Sequence, residues 1–214
     1  MNRVKNDERS ELQQGQVKAA LVLASASPRR RELLERIGYA VEVEPANADE
    51  SVRENESPAD CALRLAAAKA GAVASNRSGV WVLGADTVVA LGLQLLGKPA
   101  DERDATSMIE RLAGREHEVI TGVRLIAPDG RDTRRAVTTA VRMRDLSSAE
   151  IESYIASGEW RGKAGGYAIQ GLAGRFVVSI NGSTSNVVGL PLYETCALLG
   201  GLGFPVNQIG GQAD

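Results

Sequence analysis

The sequence predicts an α/β fold, a mixed central sheet flanked by helices, and three observations carry that expectation. Strand-like runs alternate with capped helical stretches along the chain. Two of the strands are markedly apolar, Leu21-Val-Leu23 and Val80-Trp-Val-Leu-Gly-Ala-Asp-Thr-Val-Val-Ala90. Pro128-Asp-Gly130 is a turn signal between two long runs, His117–Ala127 and Arg134–Met143, and predicts a hairpin. The chain is long enough for one domain of two lobes, or two closely coupled ones.

The elements follow in order. After Leu21–Leu23, Ser27 is a good N-cap and Pro28 a good first helical residue, because proline lacks the N–H that would go unpaired there. That helix runs over about 28–37 and stops at Gly38. Tyr39–Glu44 alternates as a strand does, and the polar Asn47–Ser51 follows. Ser57-Pro58-Ala-Asp60 opens a helix that passes through Leu65, Lys69 and Val73 and fades at Asn76–Gly79. Residues 101–113 form a helix ended by Gly114, and Ser147-Ser-Ala-Glu150 is a capping box for a helix ending at Gly158. A glycine-rich loop with Tyr167–Gly171 precedes a strand over Arg175–Ile180. The Asn181-Gly182 turn and Asn186–Gly189 lead into a last helix from about Pro191 to Leu199.

Composition narrows the function classes. The 214 residues are 43% hydrophobic and 24% charged, an ordinary globular balance. A formal net charge of −2 argues against a sequence-independent grip on nucleic acid. No apolar run approaches the length of a membrane span. Cys61 and Cys196 stand far apart without metal-ligand spacing and read as core residues of a reducing compartment. Met1–Gln16 mixes acids and bases without an apolar segment, which predicts neither a signal nor a transit peptide. The expectation is a cytoplasmic protein with a disordered tail over residues 1–17 and a single domain over 18–210.

Several residues fit poorly as pure structure. A helix N-terminus carries about half a positive charge, so Arg29, Arg30 and Arg31 are misplaced in a first turn unless an anion joins them. Free N–H groups, the hydroxyls of Ser25 and Ser27, and the guanidinium groups converge where a phosphate-rich ligand would satisfy them all. The plainer reading pairs the arginines with Glu32 and Glu35. Asp86 interrupts the most apolar strand, where a carboxylate is costly unless it is paired or binds metal. Glu50, in a polar loop, could supply with Asp86 the hard oxygens that Mg²⁺ prefers. Lys69 lies on a mostly apolar helical line and either snorkels or has a task. Lys98 is either a solvated turn lysine or a second cation of the site. His117 reads as a hydrogen-bonded structural imidazole. Gly92–Lys98 matches the start of a P-loop, but Pro99 stands where a Ser or Thr would ligate Mg²⁺, and its apolar interior suits a hairpin strand.

Ala24-Ser-Ala-Ser-Pro-Arg-Arg30, Asp49-Glu-Ser51, Arg64-Leu-Ala-Ala-Ala-Lys-Ala70, Gly84-Ala-Asp-Thr-Val-Val89, Leu96-Gly-Lys-Pro99, Tyr167-Ala-Ile-Gln-Gly171 and Asn186-Val-Val-Gly-Leu-Pro191 occur in the order of Maf proteins, and the chain resembles that family over residues 20–200. The resemblance implies a nucleoside triphosphate pyrophosphatase with two lobes around a cleft, similar to inosine triphosphate pyrophosphatases and usually dimeric. Asp86 then matches the catalytic aspartate, and Ser25, Arg29, Glu50, Lys69 and Lys98 match the phosphate- and metal-site residues, with Mg²⁺ or Mn²⁺ as the implied cofactor. Arg30 joins the implied substrate-binding set. Arg29, Thr87 and Gln170 match positions that separate substrate classes. The glutamine in Tyr-Ala-Ile-Gln-Gly implies the branch acting on dTTP and UTP rather than the glutamate-bearing branch that favours 7-methyl-GTP. Asn47-Ala48 departs from the more usual Asp-Ile before Asp49. Maf relatives are also linked to arrest of cell division, so a nucleotide-sensing protein without catalysis is the alternative.

Overall fold

The computed structural model describes residues 21–205; the expected tail over 1–17 lies outside them, as do both ends of the expected 18–210 domain. A seven-stranded mixed sheet forms the centre. Its strands are β1 (Leu21–Leu23), β2 (Val41–Val43), β3 (Trp81–Leu91), β4 (Gln94–Leu96), β5 (Glu116–Ile126), β6 (Asp132–Met143) and β7 (Val177–Asn181). The order is β2-β1-β3-β5-β6-β7, with β4 paired to β3. β1 runs parallel to both neighbours, while β3, β5, β6 and β7 are successively antiparallel.

The fully apolar Leu-Val-Leu of β1 suits a strand covered on both faces. Leu21 and Leu23 enter one core cluster and Val22 another. The helices are α1 (Pro28–Arg36), α2 (Pro58–Ala74), α3 (Glu102–Leu112), α4 (Ser148–Ala156), α5 (Thr184–Val188) and α6 (Leu192–Leu202). α2 covers one face of the sheet and can lie close because Gly84 and Gly122 carry no side chain. A Cβ at Gly84 would collide with the Ala66 carbonyl, and one at Gly122 with that of Ala62. On the other face two clusters sit at opposite ends of the long strands. One joins Leu33, Leu34 and Leu199 to Leu83 and Leu125. The other joins Ile109 and Tyr154 to Val89, Val119 and Val141. These are the two lobes, with a cleft between them.

Caps account for most helix starts. The Ser57 side chain accepts from Asp60 N–H, Asp101 accepts from Asp104 N–H, and Ser147 with Glu150 forms the full capping box. Gly92–Lys98 is a hairpin turn and short strand, as its apolar interior predicts. Five local expectations need correction. Ser27 occupies the N-cap of α1 without a side-chain cap bond; Ser25 Oγ accepts from the Ser27 N–H instead, at 3.2 Å. β2 is shorter than Tyr39–Glu44, because its only partner among the described residues is the three-residue β1. The strand expected from Arg175 starts at Val177, since Leu172–Phe176 coils into a 3₁₀ turn. Thr184–Val188 is a helix, capped by Ser183, where only a connection was expected, and α6 continues to Leu202.

Candidate active site

The sheet leaves a gap, and the site lies in it. β5 covers one edge of β3 from Val82 to Ala90. On the other edge, β1 pairs only with Trp81–Leu83 and β4 only with Val89–Leu91. Among the described residues, 84–88 therefore have no strand beside them there, and a cleft of about 560 Å³ opens at this point, at the carboxyl end of β1. This is where α/β sheets place their ligands. Strand alternation sends Asp86 to the α2 face and Thr87 to the face of α1 and α5.

Lys69 ties the acidic half together. The close approach of α2 brings its ammonium to 2.6 Å from Asp86 Oδ1 and 2.6 Å from Glu50 Oε1. Lys98, from the connection between β4 and α3, lies 2.8 Å from Glu50 Oε2. Lys69 and Asp86 are each 8% exposed, so neither is a snorkelling or solvated side chain. The two lysines hold the Glu50 carboxyl well below its ordinary range, at about 2, by hydrogen bonds from Lys69 first and Lys98 second. Among the described residues Asp86 Oδ2 accepts no hydrogen bond. Glu50 stands in the loop between β2 and α2, where Asp49 accepts from Ser51 and Arg64 donates to the Ser51 carbonyl.

Arg30 organises the other half from beneath. Its Nε donates to the Gly189 carbonyl at 2.8 Å, and its terminal nitrogens donate to Ser25 Oγ at 2.9 Å and Thr87 Oγ1 at 3.0 Å. Burial pushes its pKa down, against the attraction of the Asp86 charge. The Thr87 hydroxyl also meets Thr121 Oγ1 at 2.9 Å. Arg30 and Thr87 are thus committed to an internal network that fixes Ser25 and Gly189, a use that sequence spacing did not foretell. Arg31 turns away to pair with Glu35, as the plainer reading of the arginines has it. Arg29 lines the cleft, with its Nε out of solvent and without an acceptor among the described residues. No acid stands in the first turn of α1.

Gln170 lines the cleft as an exposed side chain and makes no side-chain hydrogen bond among the described residues. His117 is buried, with Nε2 at 2.7 Å from the Tyr167 hydroxyl, and Tyr167 in turn lines the cleft. Lys163 also lines it, and sequence reasoning missed it. Its one signal was a lone base inside the glycine-rich run Gly162–Gly166.

The donor set suits a hard divalent cation. Glu50 and Asp86 converge on one ammonium, and no group of three or more His, Cys, Asp or Glu side chains with metal-ligand placement occurs among the described residues. Two carboxylates with water and phosphate oxygens filling the remaining positions is the habit of Mg²⁺.

Fold and cleft together define an α/β protein with a cation-lined cleft that holds two paired carboxylates. The chain belongs to the Maf family: the family model described as "Maf-like protein" matches residues 20–202. It is 57% identical over 187 residues to a Paramagnetospirillum magneticum protein named dTTP/UTP pyrophosphatase, covering 87% of this chain and 98% of that one. A Caulobacter vibrioides protein of the same name is 54% identical over 186 residues, covering 86% and 96%. Among solved structures, the Ham1 protein of Staphylococcus aureus overlays with a TM-score of 0.42 at 14% identity, over 59% of this chain and 72% of that one. No helix among the described residues is long and apolar enough to cross a membrane.

Proposed function

We propose that this chain is a nucleoside triphosphate pyrophosphatase that hydrolyses dTTP and UTP to the nucleoside monophosphate and pyrophosphate. The observation that carries the reading is the pairing of Asp86 and Glu50 through Lys69 at the open edge of β3, inside a cleft with cations to spare. The relatives named dTTP/UTP pyrophosphatase, matched over nearly their whole length, support the same substrates.

Hydrolysis between the α- and β-phosphates requires a water placed in line with the α-phosphorus and compensation of the negative charge. The water oxygen bonds to phosphorus, the bond to the bridging oxygen breaks, and pyrophosphate leaves. Asp86 accepts the proton that the water loses, through the carboxylate oxygen not held by Lys69. Arg29, Lys69, Lys98, Ser25 and the N–H groups of α1 take the phosphate charge. Arg30 holds Ser25 and Thr87 in place from below. Glu50 and Asp86 would hold Mg²⁺ or Mn²⁺, which when bound neutralises charge on the phosphate oxygens. Gln170 reads the base: its amide offers an acceptor to the N3–H of uracil or thymine and a donor to the adjoining carbonyl. A homodimer in the cytoplasm completes the proposal.

Pyrophosphate release from a panel of canonical triphosphates, with Mg²⁺ or Mn²⁺ supplied, tests it. The expected result is turnover of dTTP and UTP well above that of purine triphosphates. Orthophosphate release in place of pyrophosphate, or no turnover with either metal, overturns it.

A further inference from the structure

The charges lining the cleft do not balance, and the imbalance has a location. Among the described residues five cations line it, Arg29, Arg30, Lys69, Lys98 and Lys163, against two acids, Glu50 and Asp86. Lys69 and Lys98 are matched by those two acids through direct ion pairs. Arg30 is spent on a carbonyl and two hydroxyls. Arg29 and Lys163 remain, and neither forms an ion pair with a carboxylate among the described residues.

Lys163 is held in the cleft by design of its loop. Its backbone N–H donates to the Trp160 carbonyl at 3.2 Å, and its carbonyl accepts from Gly166 N–H at 3.0 Å. Gly165 N–H donates to the Gly97 carbonyl at 3.0 Å, which fastens the loop beside Lys98. At Gly165 the chain takes φ +67° against Val89, where a Cβ would stand 3.0 Å from that side chain. Among the described residues the ammonium itself donates only to the carbonyl of Arg161, at 3.2 Å. Burial lowers its pKa, and the positive charge of nearby Arg29 pushes the same way, against a weaker pull from Glu159. Arg29 and Lys163 both line the cleft, and Arg29 Nε lies out of solvent without a hydrogen-bond partner among the described residues, an arrangement that suits an anion.

We propose that Lys163 binds the polyphosphate of the substrate, forming with Arg29 a second cationic arm of the cleft apart from the lysines that serve Glu50 and Asp86. This rests on the reading of the cleft as a triphosphate site and adds a residue to it. While Glu50 and Asp86 neutralise Lys69 and Lys98, the arm of Arg29 and Lys163 supplies attraction that the acids do not cancel. The side chain acts on phosphate and not on the base.

Inorganic tripolyphosphate isolates that role, because it carries the phosphate charge without base or sugar. Its affinity is measured by calorimetry for the wild type, Lys163→Met and Lys163→Arg, alongside the affinity for uncharged thymidine measured in the same way. The expected result is a tenfold to hundredfold loss for Lys163→Met, substantial recovery in Lys163→Arg, and an unchanged constant for thymidine. Undiminished tripolyphosphate affinity in Lys163→Met overturns the proposal. So does an equal loss for thymidine, which would place the lysine in base binding or in folding of the loop. Absence of dTTP turnover in the wild type would refute the hydrolase reading alone, since tripolyphosphate binding is scored without turnover.

Discussion

His117 makes stability depend on pH in a window where no other residue type ordinarily titrates. It is the chain's one histidine, 2% exposed, with Nε2 against Tyr167 and Nδ1 buried without a partner among the described residues. Burial pushes its pKa down from 6.5 to about 4. On acidification the unfolded chain takes up a proton near pH 6.5, and the native protein waits until near pH 4. The unfolded state binds more protons throughout that interval, so stability falls as pH falls. At 1.36 kcal/mol per pKa unit, moving from pH 7.5 to 5 costs about 2 kcal/mol. The paired acids act elsewhere. Glu50, Glu56 and Glu150 are held at about 2 from an ordinary 4.5, so the stability they contribute is lost only below that ordinary value. Urea unfolding followed by the fluorescence of Trp81 and Trp160 at the two pH values provides the assay. Wild type should lose about 2 kcal/mol, while His117→Phe, whatever its own stability, should lose far less. A wild type equally stable at both, or a variant with the same drop, refutes the argument.

Asp86→Asn keeps shape and hydrogen bonding but cannot accept the proton; turnover should fall about a hundredfold or more while the melting temperature stays within a few degrees. Retained pyrophosphate release would remove Asp86 from its role. Gln170→Glu should cost dTTP and UTP activity about 1–3 kcal/mol of transition-state binding, because an ionised carboxylate faces the base carbonyl with repulsion. Since Gln170 is exposed in the free protein, that cost arises only once the base covers it, and an unchanged ratio of dTTP to GTP hydrolysis would place base selection elsewhere. Gly84→Ala should cost about 1–3 kcal/mol by forcing α2 off β3, and should lower turnover as Lys69 moves with the helix. Calorimetric melting and the pyrophosphate assay read both effects, and loss of stability without loss of turnover would break the link drawn between helix approach and site.

The sequence by itself determined the local features, because local chemistry decides them. Ser57 and the Ser147–Glu150 pair announced their helices by the caps they make, and Pro128-Asp-Gly130 announced the β5–β6 hairpin. The short α5 escaped, since five residues are too few to show a helical period. Asp86 was conspicuous as a carboxylate in an apolar strand, and the arginines as cations at a helix start. What only the tertiary structure decided was who meets whom. Lys69 reaches Asp86 across 17 residues, Lys98 reaches Glu50 across 48, and Arg30 reaches the Gly189 carbonyl across 159. Those meetings depend on the strand order and on the closeness of α2 to Gly84, which no local spacing encodes. The same holds for Lys163, an ordinary loop lysine in the sequence and one of the cleft's two cations without a carboxylate partner once the chain has folded. A carboxylate's anomaly is readable from its neighbours in the chain, but its ion pair exists only where the sheet leaves an edge of β3 uncovered.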